Sequence, residues 1–246
     1  TRNHSSAASD VYKRQRHGVL AIVVGLMVMA PWLIYNNVRF AEATTLTSGS
    51  GTVMMAGACD EAWSGESIGF WANCFVARGI PDELNARYPG SWPEREEDRV
   101  YYDVSVIDAF NREKALEYYT DNWTRYPQVA LARMGRTLEV YRVGHTLRMN
   151  WQVEGRWKAP STIGLGLYYV LVPFTVLGAL ALRRRGTRLT PLLAVWPMVL
   201  FASATTFGLT RYRVPIDLAM IVLSGVAVGW LWQRWRDRPA DQEIAA

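Results

Sequence analysis

The chain has 246 residues, enough for one or two domains, of which 50% are hydrophobic and 20% charged, with a formal net charge of +5. Those averages would suit a soluble protein, but Gly18–Val38, Ala159–Leu182 and Leu189–Thr210 carry no charge, and Val214–Gln233 carries only Asp217. Each run is close to the roughly 20 residues that cross a bilayer, which excludes an ordinary soluble core.

In chain order, residues 1–15 have neither signal-peptide character nor an apolar period. Within them SSAASDVYKRQ, Ser5 to Gln15, resembles the conceptual translation of a transposase adapter used in sequencing-library preparation. On that reading residues 1–15 are a non-native leader, and the native sequence starts near Arg16 inside a longer gene. Residues 16–38 are expected to form a first transmembrane helix, with Pro31, Trp32 and Tyr35 at its interface end. Residues 39–158 follow as a mostly helical external domain. In it, TTLTSGSGTVMMAGA combines β-branched residues with a Gly/Ser turn and predicts a short strand or two. SGSG is not a phosphate-binding loop, because no Gly-Lys-Ser/Thr follows.

The two cysteines, Cys59 and Cys74, both lie in CDEAWSGESIGFWANC. An oxidising exterior favours a disulfide between them, which would contribute about 3 kcal/mol by closing its loop; a reduced structural pair is the alternative. Zinc is disfavoured, since no histidine stands at ligand spacing. PDELNARY predicts a short helix, and Ser91 and Pro93 before EREED predict another helix start. Tyr101, Val104, Ile107, Leu116, Tyr119 and Trp123 fall at helical spacings. The segment Pro127–Val143 sets Leu131, Met134, Leu138 and Tyr141 on one face beside Arg133, Arg136 and Arg142, as an interfacial helix does, or else a solvated helix packed on the external domain.

The remaining expected elements are transmembrane helices at 159–182, 189–210 and 214–233, a loop at 183–188, a turn at 211–213 and a tail at 234–246. The class is therefore mainly α, a polytopic membrane protein with four transmembrane helices. Residues 36–160 hold 14 Lys/Arg against 17 Asp/Glu, and the remainder holds 13 against 5. RRRGTR, with Arg183, Arg184, Arg185 and Arg188, reads as cytoplasmic, and Arg16, Arg234, Arg236 and Arg238 agree with it. The acidic segment and the TRYRVPID turn then face outside a plasma membrane.

The sequence contains no G-x-S-x-G, HExxH, CxxC or dinucleotide fingerprint, and His145 stands alone. The chemistry it offers is a cationic outer face: Arg211, Tyr212 and Arg213 in the turn, with Arg133 and Arg136 before it. Guanidinium forks bind phosphate through paired charge-assisted hydrogen bonds, and at this depth a phosphate belongs to a lipid. Asp217, one turn after Arg213, could pair with it, and Pro215 suits a helix start. The alternative is that Arg211 and Arg213 snorkel and anchor the helix.

APWLIYN, a Cys-Asp-Glu loop, ARMGRTLEVYR, the EGR tripeptide Glu154–Arg156 and FGLTRYRVPIDLAMIVLSGVAV together resemble actinobacterial members of the dolichyl-phosphate-mannose-protein mannosyltransferase group. These belong to glycosyltransferase family 39 and its ArnT-like relatives, in the GT-C class. The resemblance implies a membrane enzyme that transfers a sugar from a polyprenyl-phosphate donor to an acceptor at the outer face, with a divalent metal possible and no nucleic-acid partner. The family's acidic base lies in a first external loop, which falls outside this chain on the reading of residues 1–15 as a leader, so no catalytic residue is carried over. Asp60 and Glu61 do not match it. A second expectation is a non-enzymatic membrane protein with an external binding or sensing domain; a flippase or polymerase for the same carrier is a third.

Overall fold

The structure, a computed structural model, describes residues 4–237, and every regular element among them is helical. In chain order the first six helices are α1 (His4–Arg39), α2 (Ser50–Met55), α3 (Asp60–Trp63), α4 (Cys74–Ala77), α5 (Ile80–Arg87) and α6 (Val104–Asp121). There follow α7 (Tyr126–Thr137), α8 (Val143–Gln152), α9 (Lys158–Arg184), α10 (Thr190–Leu193), α11 (Val195–Thr205) and α12 (Val214–Arg236). The chain divides into two compact units, residues 1–53 with 79–114 and residues 54–78 with 115–246, each taken by itself below.

In the first unit, polar side chains tie the segment after α1. Asn36 Nδ2 donates to Thr45 O at 2.8 Å, and Asn37 Nδ2 to Thr44 O at 2.9 Å. The strands expected around residues 44–58 are absent; residues 50–55 are helical instead. The cause is distant in sequence: the Asp108 carboxylate accepts the amides of Gly51 and Thr52 at 3.0 and 2.9 Å, satisfying the opening donors of α2. EREED likewise starts no α-helix and forms only a 3₁₀ turn, Glu96–Asp98. The helix starts later, where Asp103 Oδ1 accepts the Ser105 amide at 2.8 Å and Oδ2 the Ala41 amide at 3.0 Å. These bonds hold the Asp103 carboxyl below its ordinary pKa.

In the second unit, α9 and α12 run parallel. Thr175 Oγ1 lies 3.3 Å from Ser224 Oγ, and nearer the C-termini Arg185 Nη2 donates to Gln233 Oε1 at 3.2 Å. Beside the first of these points the backbones meet: a Cβ on Gly178 would stand 1.8 Å from Leu223 O. Helix α11 returns antiparallel, closing a core of Tyr168, Val199, Ile216 and Met220. The disulfide Cys59–Cys74 is formed, with its Cα atoms 5.2 Å apart. Gly69, at φ +80°, brings the closed loop against α7, where a Cβ would lie 2.8 Å from the Ala132 carbonyl carbon.

Three helices are long and apolar enough to cross a membrane: Gln15–Arg39, Lys158–Arg184 and Thr210–Arg236. The run expected at 189–210 is not one such helix, since only Thr190–Thr205 is helical and it is broken between α10 and α11. Pro197 explains the break, because its ring would strike the carbonyl of Leu193 four residues earlier. The far end stops where Gly208 N leaves the helix to donate to Gly69 O at 2.7 Å.

Gly178→Val should therefore lower stability in detergent by about 1–3 kcal/mol through overpacking. Gly166→Ala, on a face with no atom within 4 Å of the added Cβ, should cost nothing, and thermal unfolding of the two variants measures the difference.

Candidate functional site

Helix α7 ends in a Schellman turn. Glu139 N donates to Arg136 O at 3.0 Å and Val140 N to Gly135 O at 2.8 Å, with Glu139 in the left-handed region at φ 50°. Glycine is the usual residue at that position, and a glutamate there raises the conformational cost. Two tyrosines of α9 hold the turn in place: Tyr168 OH donates to Leu138 O at 3.0 Å and Tyr169 OH to Glu139 O at 2.6 Å. The strained carboxylate is 3% exposed. A buried acid on strained backbone marks the turn as a place to look for function.

Its partner is Arg213, at the end of the 3₁₀ turn Thr210–Arg213 that leads into α12. Arg213 Nη1 donates to Glu139 Oε2 at 2.8 Å, and Nε donates to Asp217 Oδ1 at 2.8 Å. The guanidinium carbon lies 3.6 Å from the Tyr168 ring centroid, so the cation is stacked as well as paired. Beside this triad opens a cavity of about 560 Å³. Glu139, Arg213 and Asp217 line it together with Asn150 from α8, Arg156 and Trp157 from the α8–α9 connection, and Ser161 and Thr210. Asn150 Nδ2 donates to Thr210 Oγ1 at 3.4 Å, while Asn150 Oδ1 is buried without a partner. Arg156, at the more open side, pairs with Glu154 at 3.3 Å. The arrangement offers an acceptor-rich inner wall, an exposed guanidinium and an indole, at the N-terminal ends of two membrane-length helices.

Of the residues expected from sequence, Arg213 and Asp217 meet here. Arg211 does not line the cavity; it is exposed, with its guanidinium 5.9 Å from the Tyr212 ring centroid. Tyr212 packs against the Tyr168–Met220 core. Arg133 and Arg136 are fully buried, which overturns the reading of α7 as a helix that turns its guanidinium groups to headgroups. Leu131, expected on the apolar face toward the lipid boundary, is 67% exposed. Arg133 donates to Gly57 O at 2.8 Å and Ala204 O at 2.9 Å, with its guanidinium 5.8 Å from the Trp63 ring centroid. Arg136 donates to Ile68 O at 2.6 Å and to Glu66 O, and burial lowers its pKa to about 10. Arg136 thus clamps carbonyls of the disulfide loop, and Arg133 clamps the carbonyl just before it and one of α11.

Arg136 Nη1 also lies 3.0 Å from His145 Nδ1. Only a neutral imidazole accepts that bond. Burial first, and the Arg136 charge second, lower the His145 pKa, with Arg148 and Arg142 acting in the same direction and Glu66 against it.

Glu139, Asn150, Arg156 and Thr210 are cavity residues that the phosphate-centred reading of the sequence did not select. Glu139 had one legible signal, an acid where a helix end calls for glycine. Among the described residues no cluster of three or more His, Cys, Asp or Glu could hold a metal ion. Comparison with family models, with curated proteins and with solved structures gives no match.

Arg213→Ala strands the buried Glu139 carboxylate and the half-buried Asp217 carboxylate and should cost about 3–5 kcal/mol, whereas exposed Arg211→Ala should stay within about 0.5 kcal/mol. Chemical denaturation of both variants in one detergent provides the comparison. His145, with its pKa lowered on folding, contributes stability above the ordinary value of about 6.5, and that stability is lost as pH falls. His145→Gln should therefore flatten the loss of melting temperature between about pH 7 and 5, measured against the parent protein.

Proposed function

We propose that this chain is a membrane glycosyltransferase that takes a sugar from a polyprenyl-phosphate donor and transfers it at the outer membrane face. One observation carries the reading: the cavity at the heads of α9 and α12 puts an exposed cation, an indole and a wall of buried acceptors together at one end of apolar, membrane-length helices. A phosphosugar on an isoprenoid needs each of these. Arg156 at the rim suits the phosphate, because its guanidinium can exchange Glu154 for a bidentate anion. Trp157, 82% exposed, offers a flat face for the sugar ring. Asn150 Oδ1 and the outer edges of Glu139 and Asp217 are acceptors for sugar hydroxyls.

In transfer, an acceptor hydroxyl oxygen bonds the anomeric carbon as the bond from that carbon to the phosphate oxygen breaks, the polyprenyl phosphate departs with both electrons, and the hydroxyl proton is lost to solvent. Arg156 stabilises the charge gathering on that phosphate. Arg213, already held by Glu139 and Asp217, positions those two carboxylates, so the phosphate role moves from Arg211 and Arg213 to Arg156.

The reading places the chain in the plasma membrane with four crossings, at 16–38, 159–182, 189–210 and 214–233, and residues 39–158 outside. Two observations support the sidedness. The basic ends of the parallel helices α9 and α12 lie together at Arg185 and Gln233, as the charge rule for cytoplasmic loops requires. The cavity lies at their other ends.

The test is donor binding and consumption by the purified protein in nanodiscs of phosphatidylcholine. Arg156→Gln should weaken binding of a polyprenyl-phosphate sugar about tenfold, the loss of one charge-assisted contact. Donor binding by the parent that Arg156→Gln leaves unchanged overturns the site. Binding with no consumption in the presence of candidate acceptors supports a non-enzymatic module instead.

A further inference from the structure

The opposite end of the same bundle carries a second binding feature. A cavity of about 370 Å³ runs beside α9, lined by Val172, Val176, Leu180 and Leu193 among others. A second, of about 490 Å³, is lined by Arg183, Thr187, Thr190 and Leu193. The two share Arg183, Leu189 and Leu193 and so form one groove, apolar along the helices and polar at its mouth. The groove exists because α10 and α11 are short: beside 27 residues of α9, the returning segment supplies only four and eleven, with a break at Ala194.

The mouth is strongly charged. Arg183, Arg184, Arg185 and Arg188 crowd six consecutive positions with no acid among them. None of the four pairs with a carboxylate among the described residues, and Arg185 bonds the neutral Gln233. An apolar slot long enough for part of a chain, ending at unpaired cations and two hydroxyls, has the chemistry of a lipid with a net negative headgroup. A zwitterionic lipid would leave the excess charge unmet, and a soluble anion would leave the slot unfilled.

We propose that this groove binds an anionic phospholipid of the cytoplasmic leaflet, with its acyl chain along Val172, Val176 and Leu180 and its phosphate on Arg183 beside the Thr187 and Thr190 hydroxyls. The proposal rests on the bundle crossing a membrane and not on sugar transfer. The lipid acts as a wedge that completes the gap left by the short returning helix, so it stabilises the packing of α9 against α11. The sugar donor is not the occupant, since its headgroup cavity is at the other end of these helices.

The experiment uses the full chain, reconstituted in phosphatidylcholine nanodiscs with or without a minority of phosphatidylglycerol, with retained lipid counted by native mass spectrometry and the melting temperature recorded. The parent should retain one phosphatidylglycerol and melt higher with it than in phosphatidylcholine alone. Arg183→Gln should reduce retention about fivefold, the amount one basic residue contributes at an anionic surface. Ala179→Phe, which fills the groove and keeps every arginine, should abolish retention, while Arg234→Gln, outside the groove, should leave it unchanged. Equal retention of the two lipids by the parent overturns the proposal. So does full retention by Ala179→Phe, or an equal loss from Arg234→Gln, either of which means diffuse attraction to the basic surface. Donor binding in phosphatidylcholine alone is indifferent to all of these outcomes, so the two readings fail separately.

Discussion

The fold around the cavity depends on one buried cation. Arg213 is 5% exposed, and a charge at that depth is tolerated only if it is neutralised and hydrogen-bonded. Glu139 and Asp217 do this from either side, and Tyr168 covers the face. Because the partners come from the α7–α8 turn, from α9 and from α12, neutralising Arg213 fixes all three together. It also explains why the α7 turn accepts a glutamate in the left-handed region: the strain there is offset by an ion pair that glycine could not make. What results is a rigid, acceptor-lined wall beside an open cavity, a geometry suited to orienting hydroxyls rather than to holding a phosphate on Arg213 itself.

Two other buried guanidinium groups show a different solution. Among the described residues Arg133 and Arg136 have no carboxylate partner; backbone carbonyls of the 56–70 loop and of α11 accept their hydrogen bonds, and aromatic rings cover their faces. A carbonyl accepts a hydrogen bond without adding charge, so these guanidinium groups are satisfied without an ion pair. Their work is structural, joining the disulfide-closed loop to α7. The same residue type thus serves as a frame in one place and as part of a functional candidate in another. The difference lies in whether the cation is met by carbonyls inside the fold or by acids lining an open cavity.

The membrane helices were legible in the sequence because uncharged length is a local property, and the Arg213–Asp217 pair was legible because it spans one helical turn. The cysteine pairing was likewise within reach, from two residues in one short stretch. What escaped was set by distant contacts. Asp108 turns residues 50–55 into a helix across more than fifty positions of sequence, and no local pattern announces it. Arg133 and Arg136 looked like headgroup ligands because their spacing says only that they share a helix face, and says nothing of which face is buried. The third apolar run looked like one unbroken helix because hydropathy averages over Pro197 and over the departure at Gly208. Glu139 and Asn150 entered the site through turn geometry and packing, which composition does not encode.

The central claim is that the cavity between Glu139, Asn150 and Arg156 receives the phosphosugar head of a polyprenyl lipid. A map of the protein in nanodiscs with a non-transferable phosphonate analogue of such a donor tests it directly. The account predicts sugar density beside Asn150 and Trp157, phosphonate density on Arg156, and an unbroken Glu139–Arg213–Asp217 triad. Phosphonate density on Arg211 with the cavity empty would contradict it.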